Sequence, residues 1–148
     1  MTRLVPPPAP ADSPDDVEAA FYRAMQQGDL DQLMALWADE DEIACIHPGG
    51  IRALGAQAVR ASFESIFAVG SVDVRPESVR RLLSQAVAVH HVVERIQGIT
   101  PEGPQAAYVV ATNVYVRTPL GWRMLVHHAS PGGEIGSPDF SESGMMLH

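Results

Sequence analysis

The spacing of the apolar residues changes once along this chain, close to Gly70. Upstream of that glycine, apolar residues recur every three or four positions within 13–27, 29–38 and 56–68, which is typical of amphipathic helices. Downstream, apolar and polar residues alternate, which is typical of strands. A chain with its helices first and its strands last is expected to fold as an α+β protein, with the helices packed on one face of a mostly antiparallel sheet.

Local signals mark where the first two helices begin. Ser13 and Pro14 suit the cap and the first turn of a helix, and Gly28 is expected to end that helix. Asp29 suits the cap of a second helix, with Gln32 placed to reach back to it. The three helical segments are therefore predicted to be separate helices.

The strand signals predict one short strand and four long ones. Pro76 indicates that its strand is an edge strand or contains a bulge. Turn residues separate the last three segments at hairpin length. Long strands must curve to wrap three helices, and the curvature leaves a cavity between sheet and helices. The predicted strands span residues 43–47, 72–83, 86–97, 105–117 and 122–130.

A chain of 148 residues is expected to form a single domain. Residues 1–12 contain four prolines without periodicity, and we interpret them as a disordered lead. Residues 13–131 form the predicted domain. Residues 132–148 are interpreted as a loosely held C-terminal tail.

Charge and residue types exclude several classes of function. Asp and Glu total 18 against 10 arginines, and a net charge of -8 disfavours a nucleic-acid partner. The chain has no lysine, which excludes Schiff-base chemistry, and one cysteine, which excludes an intramolecular disulfide. No apolar run approaches the roughly 20 residues of a membrane span, and no signal-peptide core is present, so we expect a cytoplasmic protein without membrane contact. Six histidines remain as candidate bases near neutral pH.

The predicted strand over 105–117 has two different faces. Its odd positions are small near one end and polar near the other, and this face, with Asn113 and Tyr115, suits a cavity. Its even positions form an apolar row without charge. Because three helices cover only one side of a sheet, we expect a homodimer through the outer sheet face, the alternative being partial cover by the C-terminal tail. The even positions are Tyr108, Val110, Thr112, Val114 and Val116.

Three motifs in this order resemble the nuclear transport factor 2-like superfamily, and most of all its bacterial SnoaL-like branch. They are Gly28-Asp29-Leu30-Asp31, His47-Pro48-Gly49-Gly50 and Gly121-Trp122-Arg123-Met124. The resemblance covers about residues 14–131 and implies a cone-shaped, strongly curved, mostly antiparallel sheet wrapped around three N-terminal helices. The superfamily includes ketosteroid isomerase, polyketide cyclases, dehydratases and the association domain of calmodulin-dependent kinase. The resemblance therefore specifies a fold rather than a function.

Matching to ketosteroid isomerase implies roles for three residues. Phe21 falls where the isomerase has an oxyanion-binding tyrosine, His47 where it has its aspartate base, and Asn113 near its protonated aspartate. The hydroxyl is lost and both carboxyls are replaced, which argues against steroid isomerisation. His47 as a general base and Asn113 as an amide donor remain chemically competent, with Phe21 lining the pocket. The alternative for His47 is a structural hydrogen bond to the turn that follows its strand.

Further pocket candidates have structural alternatives. His128 matches a late-strand histidine of the family and is predicted to be catalytic, or else to be a core histidine. Trp37 is predicted to bind ligand through its indole N–H, or else to be plain core, and Tyr115 is predicted to supply a hydrogen bond. Arg95 would bind an anionic ligand if it faced the cavity, and would otherwise be solvated.

Cysteine and histidine spacing indicates no metal site. Cys45 and His47 share a strand face, which permits a dyad, but a small buried cysteine is the commoner interpretation. Neither of the pairs His90-His91 and His127-His128 chelates one ion, because neighbours on a strand face opposite sides. We expect no metal and no cofactor.

Two classes of function follow from these residues. In the first, a cofactor-free enzyme isomerises, cyclises or dehydrates a small apolar organic substrate, with His47 as base and Asn113, Tyr115 and His128 orienting it. In the second, the chain is a non-catalytic ligand-binding or association domain, similar to the kinase association domain, and its dimer surface is its function.

Overall fold

The computed structural model describes residues 11–133, which form three helices and six strands. The helices are α1 (Pro14–Gln27), α2 (Leu30–Ala35) and α3 (Ala56–Val69). Two short strands, β1 (Ala44–Ile46) and β2 (Arg52–Leu54), lie between α2 and α3. The long strands are β3 (Val74–Leu83), β4 (Val87–Thr100), β5 (Gly103–Thr118) and β6 (Gly121–Gly133). The predicted α+β class is confirmed.

The capping residues act as the sequence predicts. Ser13 Oγ accepts a hydrogen bond from the backbone N–H of Asp16 at 3.1 Å, and the Asp29 carboxylate accepts one from Gln32 N–H at 3.1 Å. Gly28 ends α1 with a φ of 64°, a left-handed conformation that costs a glycine little. Local chemistry therefore sets the boundaries of α1 and the start of α2.

The six strands form one sheet in the order β2-β1-β6-β5-β4-β3. All neighbouring pairs are antiparallel except β1 and β6, which are parallel. β3 is an edge strand with a register shift between Pro76 and Ser78, which confirms the prediction for Pro76. β2 was not predicted, because three residues carry too little alternation to be recognised.

The three helices supply the core on one side of the sheet, which we call the inner face. Val17 and Phe21 of α1, Leu33 of α2 and Phe63 of α3 are at most 1% exposed. The odd positions of β5 from Val109 to Tyr115 are buried against them, as predicted. The buried odd positions are Val109, Ala111, Asn113 and Tyr115.

The opposite side of the sheet is its outer face, defined by the even positions of β5 and their cross-strand partners. These even positions are all half-buried in the isolated chain. Within residues 11–133 no element covers this face, because all three helices pack on the inner one. The predicted cover is by the C-terminal tail, residues 132–148, of which 134–148 lie outside the described residues.

The predicted flanking segments, 1–12 and 132–148, also lie mostly outside the described part of the chain. Ala11 is buried, and its carbonyl accepts a hydrogen bond from Trp122 N–H at 2.9 Å, so Ala11 is in contact with β6. Within the described range, no helix has the length and apolar character needed to cross a bilayer.

Candidate functional site

One row of inner-face residues brings polar side chains together across four strands. His90 of β4 pairs with Asn113 of β5, Asn113 pairs with His127 of β6, and His127 pairs with Cys45 of β1. All four are at most 3% exposed. The row crosses the middle of the sheet beneath α1, where buried polar groups need hydrogen-bond partners.

The first part of this interior is organised by Glu18 of α1. Its Oε2 lies 2.7 Å from His90 Nδ1 and accepts a hydrogen bond from the Tyr115 hydroxyl at 2.8 Å. Asp15, one helical turn earlier, lies 4.0 Å from His90 Nε2 and pairs with Arg81 at 2.8 Å. Glu18 is therefore a buried carboxylate with two side-chain partners.

A second chain of hydrogen bonds starts at Glu94 of β4. The Tyr22 hydroxyl donates to Glu94 Oε2 at 2.6 Å and accepts from Asn113 Nδ2 at 3.1 Å. Asn113 Oδ1 lies 2.6 Å from His127 Nδ1, and because an amide oxygen only accepts, His127 carries its proton on Nδ1. Every donor in this chain is therefore assigned: His127 donates to Asn113, Asn113 donates to Tyr22, and Tyr22 donates to Glu94.

Burial shifts the proton affinity of these groups. It raises the pKa of Glu94 to about 7, with the nearby Glu18 adding to the rise and the Tyr22 donor opposing it. It lowers the pKa of His127 to about 3, so this imidazole is neutral. Burial also raises the pKa of the Tyr22 and Tyr115 hydroxyls well above 10. The neighbouring carboxyl adds to the rise, Glu94 beside Tyr22 and Glu18 beside Tyr115, so both hydroxyls stay protonated. Glu94 is the member of the Tyr22–His127 chain that titrates near neutral pH.

His47 lies just beyond β1, half-buried and with its ring 4.8 Å from that of Phe63. Its Nε2 is 3.2 Å from Ser62 Oγ, and Ser62 already donates its only hydroxyl proton to the Val59 carbonyl at 2.7 Å. His47 must therefore donate from Nε2 to Ser62, which leaves the Nδ1 lone pair without a partner among the described residues. Burial lowers the pKa of His47, which favours this neutral form.

Cys45 is fully buried, with its Sγ 3.6 Å from His47 Nε2. Burial raises its pKa to about 12, so the sulfur is a thiol rather than a nucleophilic thiolate. The His47 Nε2 proton is directed to Ser62, so this nitrogen is not available to deprotonate Cys45. The contact supports a structural cysteine over a catalytic dyad.

The structure places two predicted site residues outside this interior. His128 is exposed on the outer face, and its neighbour His127 occupies the inner position. Arg95 is also exposed on the outer face, with Nε 3.8 Å from Glu77, while its neighbour Glu94 points inward. The expectation that His128 faces the cavity is corrected, because the inward position on β6 belongs to His127. The predicted ligand-binding role of Arg95 in the cavity is corrected too: Arg95 takes the solvated alternative, because the inward position on β4 belongs to Glu94.

The remaining predicted residues lie within the interior. Phe21 contacts the rings of Trp37 and His127, with centroids 6.4 and 5.0 Å apart, and Tyr115 is engaged by Glu18. Trp37 Nε1 is buried and donates to no described residue. An unpaired buried donor costs about 1–3 kcal/mol, so this N–H is suited to an acceptor on a water or a ligand. The roles proposed for His47, Asn113, Phe21, Trp37 and Tyr115 stay predictions.

One described group has the residue types of a metal site. One ligand atom each from Asp15, Glu18 and His90 lies within 4.8 Å of the others. Arg81 already binds Asp15, and both His90 and Tyr115 bind Glu18 Oε2. A cation would have to displace these partners, and we assign no metal to the group.

The sequence prediction missed the two carboxylates and the hydroxyl that organise the interior. Glu18 and Tyr22 are one turn apart on the apolar side of α1, and Glu94 is in phase with His90 on β4. A charged residue on the apolar stripe of a helix was a signal that could have revealed Glu18. The pairing of Tyr22 with Glu94, 72 residues apart, had no local signal.

Three helices on one face of a curved six-stranded sheet, enclosing a hydrogen-bonded polar interior, define an α+β protein of the cystatin-like, nuclear transport factor 2-like class. Within that class, the chain belongs to the SnoaL-like domain family, whose model matches residues 15–133. No curated protein sequence matches the chain significantly.

Solved structures show the same relationship. A candidate calcium/calmodulin-dependent protein kinase type II association domain from Thiobacillus denitrificans is 38% identical, with a TM-score of 0.75, covering 83% of this chain and 98% of that one. A candidate dehydratase of the same superfamily from Streptomyces avermitilis is 32% identical, with a TM-score of 0.69. The match covers 78% of this chain and 91% of that one. A protein with a cystatin-like fold from Novosphingobium aromaticivorans, 15% identical at a TM-score of 0.67 and covering 89% and 84%, shares the fold.

Proposed function

We propose that this chain is a self-associating domain that pairs with a second copy of itself through the outer face of the sheet. The observation that supports this most is an apolar row that crosses the outer face. Leu82, Val89, Val114 and Val126 are successive cross-strand partners on β3, β4, β5 and β6. Leu82 is 71% exposed in the isolated chain.

A second pair extends the apolar surface. Val87 pairs with Val116 one step further along β4 and β5, and Val87 is also exposed. Contiguous apolar surface on an antiparallel sheet is normally buried against another layer. Burying these side chains between two copies would remove apolar area from water on both sides at once.

Charge favours a second copy as the partner. The chain has a net charge of -8, so two copies repel each other at most surfaces. Neither the four-residue apolar row nor the Val87–Val116 pair contains an Asp or Glu. This acid-free surface is where like copies approach with the least repulsion.

The relative from Thiobacillus denitrificans supports the same function. It is described as an association domain, is 38% identical and is covered over 98% of its length. A similarity that spans the whole fold is consistent with a shared way of using it, and self-association is the use that this name specifies.

Val114→Arg is expected to weaken self-association at least tenfold, because it places a charge in the middle of the apolar row. Sedimentation velocity over a micromolar concentration series measures the effect. Val69→Arg is the matched control, since Val69 is 93% exposed at the end of α3. A wild-type chain that stays monomeric throughout, or an equal loss in both variants, would contradict the proposal.

A second candidate function is acid–base chemistry on a small apolar organic ligand held between the helices and the sheet. Three observations support it: the free Nδ1 lone pair of neutral His47, the unpartnered Nε1 of Trp37, and the Glu94 carboxyl with its pKa raised to about 7. The relative from Streptomyces avermitilis is described as a candidate dehydratase, a reaction that needs such a base and acid.

For this candidate, native mass spectrometry of the purified protein is expected to show a retained small organic molecule. Trp37→Phe should weaken its binding about two- to tenfold and lower its occupancy accordingly, because one hydrogen bond contributes about 0.5–1.5 kcal/mol. Trp122→Phe is the matched control at the other tryptophan, which is also buried. A wild-type protein without any added mass, or equal loss from both variants, would count against a ligand held by Trp37.

A further inference from the structure

A polar row runs across the outer face beside the apolar row. Arg80 of β3 pairs with His91 of β4, His91 pairs with Thr112 of β5, and Thr112 pairs with His128 of β6. These four residues line a groove with a volume of about 370 Å³. The other lining residues are Ser78, Val92, Val93, Val110, Ala111 and Ser130.

The side chains in this groove supply hydrogen-bond donors and positive charge. Arg80 is exposed and, unlike Arg81 and Arg95, pairs with no described carboxylate. Thr112 Oγ1 lies 3.3 Å from His91 Nδ1, and Ser78 and Ser130 add hydroxyls at the edges. No carboxylate is among the lining residues. Glu77, which precedes Ser78 at the register shift of β3, lies 3.8 Å from Arg95 Nε.

This arrangement is unusual for an acidic chain. With a net charge of -8, the average surface repels anions, yet this concave surface collects a guanidinium, two imidazoles and three hydroxyls. Guanidinium groups bind carboxylates and phosphates through two parallel N–H donors, and imidazole and hydroxyl groups complete such sites. The groove therefore has the chemistry of an anion site.

We propose that the outer groove binds the phosphate or carboxylate group of a small molecule, with Arg80, His91, Thr112 and His128 as its ligands. Arg80 supplies the permanent charge, and His128 donates from the β6 side. Thr112 and His91 share one hydrogen bond, so with a neutral imidazole this pair offers one donor to the anion: the Thr112 hydroxyl when His91 Nδ1–H donates to it, or His91 Nε2–H when the hydroxyl donates to Nδ1. The volume is within the range of small-molecule sites and exceeds that of a bare oxyanion, so the groove has room for the rest of a small metabolite.

The site uses none of the residues that carry the functions proposed above. It lies on the opposite face of the sheet from His47 and Trp37, and on the same face as Val114 but in the neighbouring row. The proposed self-association uses the same face of the sheet, so a second copy seated on the apolar row would cover at least part of the groove, and anion binding and self-association would be coupled. Each can be measured without the other.

Isothermal titration calorimetry with inorganic phosphate, and separately with acetate, tests the site on the full chain. We expect saturable binding of at least one of the two anions, at one site per chain, and the stronger one indicates the source of the charged group. Arg80→Gln should weaken binding at least fivefold, and His128→Gln at least twofold. Arg23→Gln, which removes the same charge from an exposed position on α1, should change it less than twofold.

Absence of saturable binding for both anions, or equal weakening by Arg23→Gln and Arg80→Gln, would overturn the anion site. Sedimentation velocity with and without each anion measures self-association separately, so failure of the anion site can be told apart from failure of the proposed function. A wild-type chain that is monomeric without either anion and binds phosphate supports the groove and contradicts self-association. A chain that self-associates without binding either anion does the reverse.

Discussion

Glu94→Gln is expected to raise the free energy of unfolding by about 3 kcal/mol at pH 8 and to change it little at pH 4. Burial raises the pKa of this carboxyl from 4.5 to about 7 in the folded chain. The folded state therefore prefers the protonated form, and the stability that Glu94 contributes is fully present below about pH 4.5. It is lost as the pH rises through about 7, because the buried carboxylate must then carry a charge.

The size of the effect follows from the same two values. The difference between 4.5 and about 7, at about 1.4 kcal/mol for each pH unit, corresponds to about 3 kcal/mol at alkaline pH. Glutamine stays neutral at every pH, and its amide oxygen can still accept the Tyr22 proton that Glu94 Oε2 accepts at 2.6 Å. The variant removes the charge while it keeps this hydrogen bond.

Urea unfolding followed by circular dichroism at pH 4 and pH 8 measures the difference. Glu64→Gln is the matched control, because Glu64 is exposed on α3 and its substitution should leave stability nearly unchanged at both pH values. If Glu94→Gln had the same effect at pH 4 and pH 8, or destabilised the chain at pH 8, the buried neutral carboxyl would be ruled out.

Phe21→Ala is expected to lower the free energy of unfolding by about 3–5 kcal/mol, the usual cost of removing a fully buried aromatic ring. Phe21 is 0% exposed, and its ring lies against those of Tyr22, Trp37, Phe63 and His127. Removing it would leave a cavity between α1 and the inner face and loosen the aromatic contacts that hold Trp37.

The control for this prediction is Phe67→Ala on α3. Phe67 is half-buried and contacts Phe63 at a centroid distance of 6.0 Å, so its loss should cost about 1–2 kcal/mol. Urea unfolding of both variants at pH 6 gives the comparison. A cost for Phe21 no larger than that for Phe67 would show that its ring faces an open ligand space instead of a packed core.

Much of the fold could be predicted because it depends on neighbours in sequence. Ser13, Gly28 and Asp29 act through hydrogen bonds and backbone conformations within a few residues, and the structure shows them where the sequence placed them. The inward face of β5 was also predictable, since alternation continues without interruption from Val109 to Tyr115. Pro76 predicted an edge strand or a bulge, because proline lacks the backbone N–H that the hydrogen bonds between strands require.

It was harder to predict which residues of β6 face the helices. A register shift between Val114 and Tyr115 on β5 lets both Met124 and His127 of β6 lie on the inner face, three residues apart. A two-residue period cannot describe that spacing. His128 was expected inside because it was matched to a late-strand histidine of the family, and the buried histidine is its neighbour His127.

The sequence by itself determined the order of helices and strands, the caps that bound the first helices, and the two faces of the central strand, because each of these follows from contacts between near neighbours. Only the tertiary structure decided which polar groups meet. Tyr22, Glu94, Asn113 and His127 come from α1 and three strands, and their hydrogen bonds join residues up to 91 positions apart. Such pairs depend on strand register and on the angle at which a helix crosses the sheet, and neither is written in the local spacing of residues.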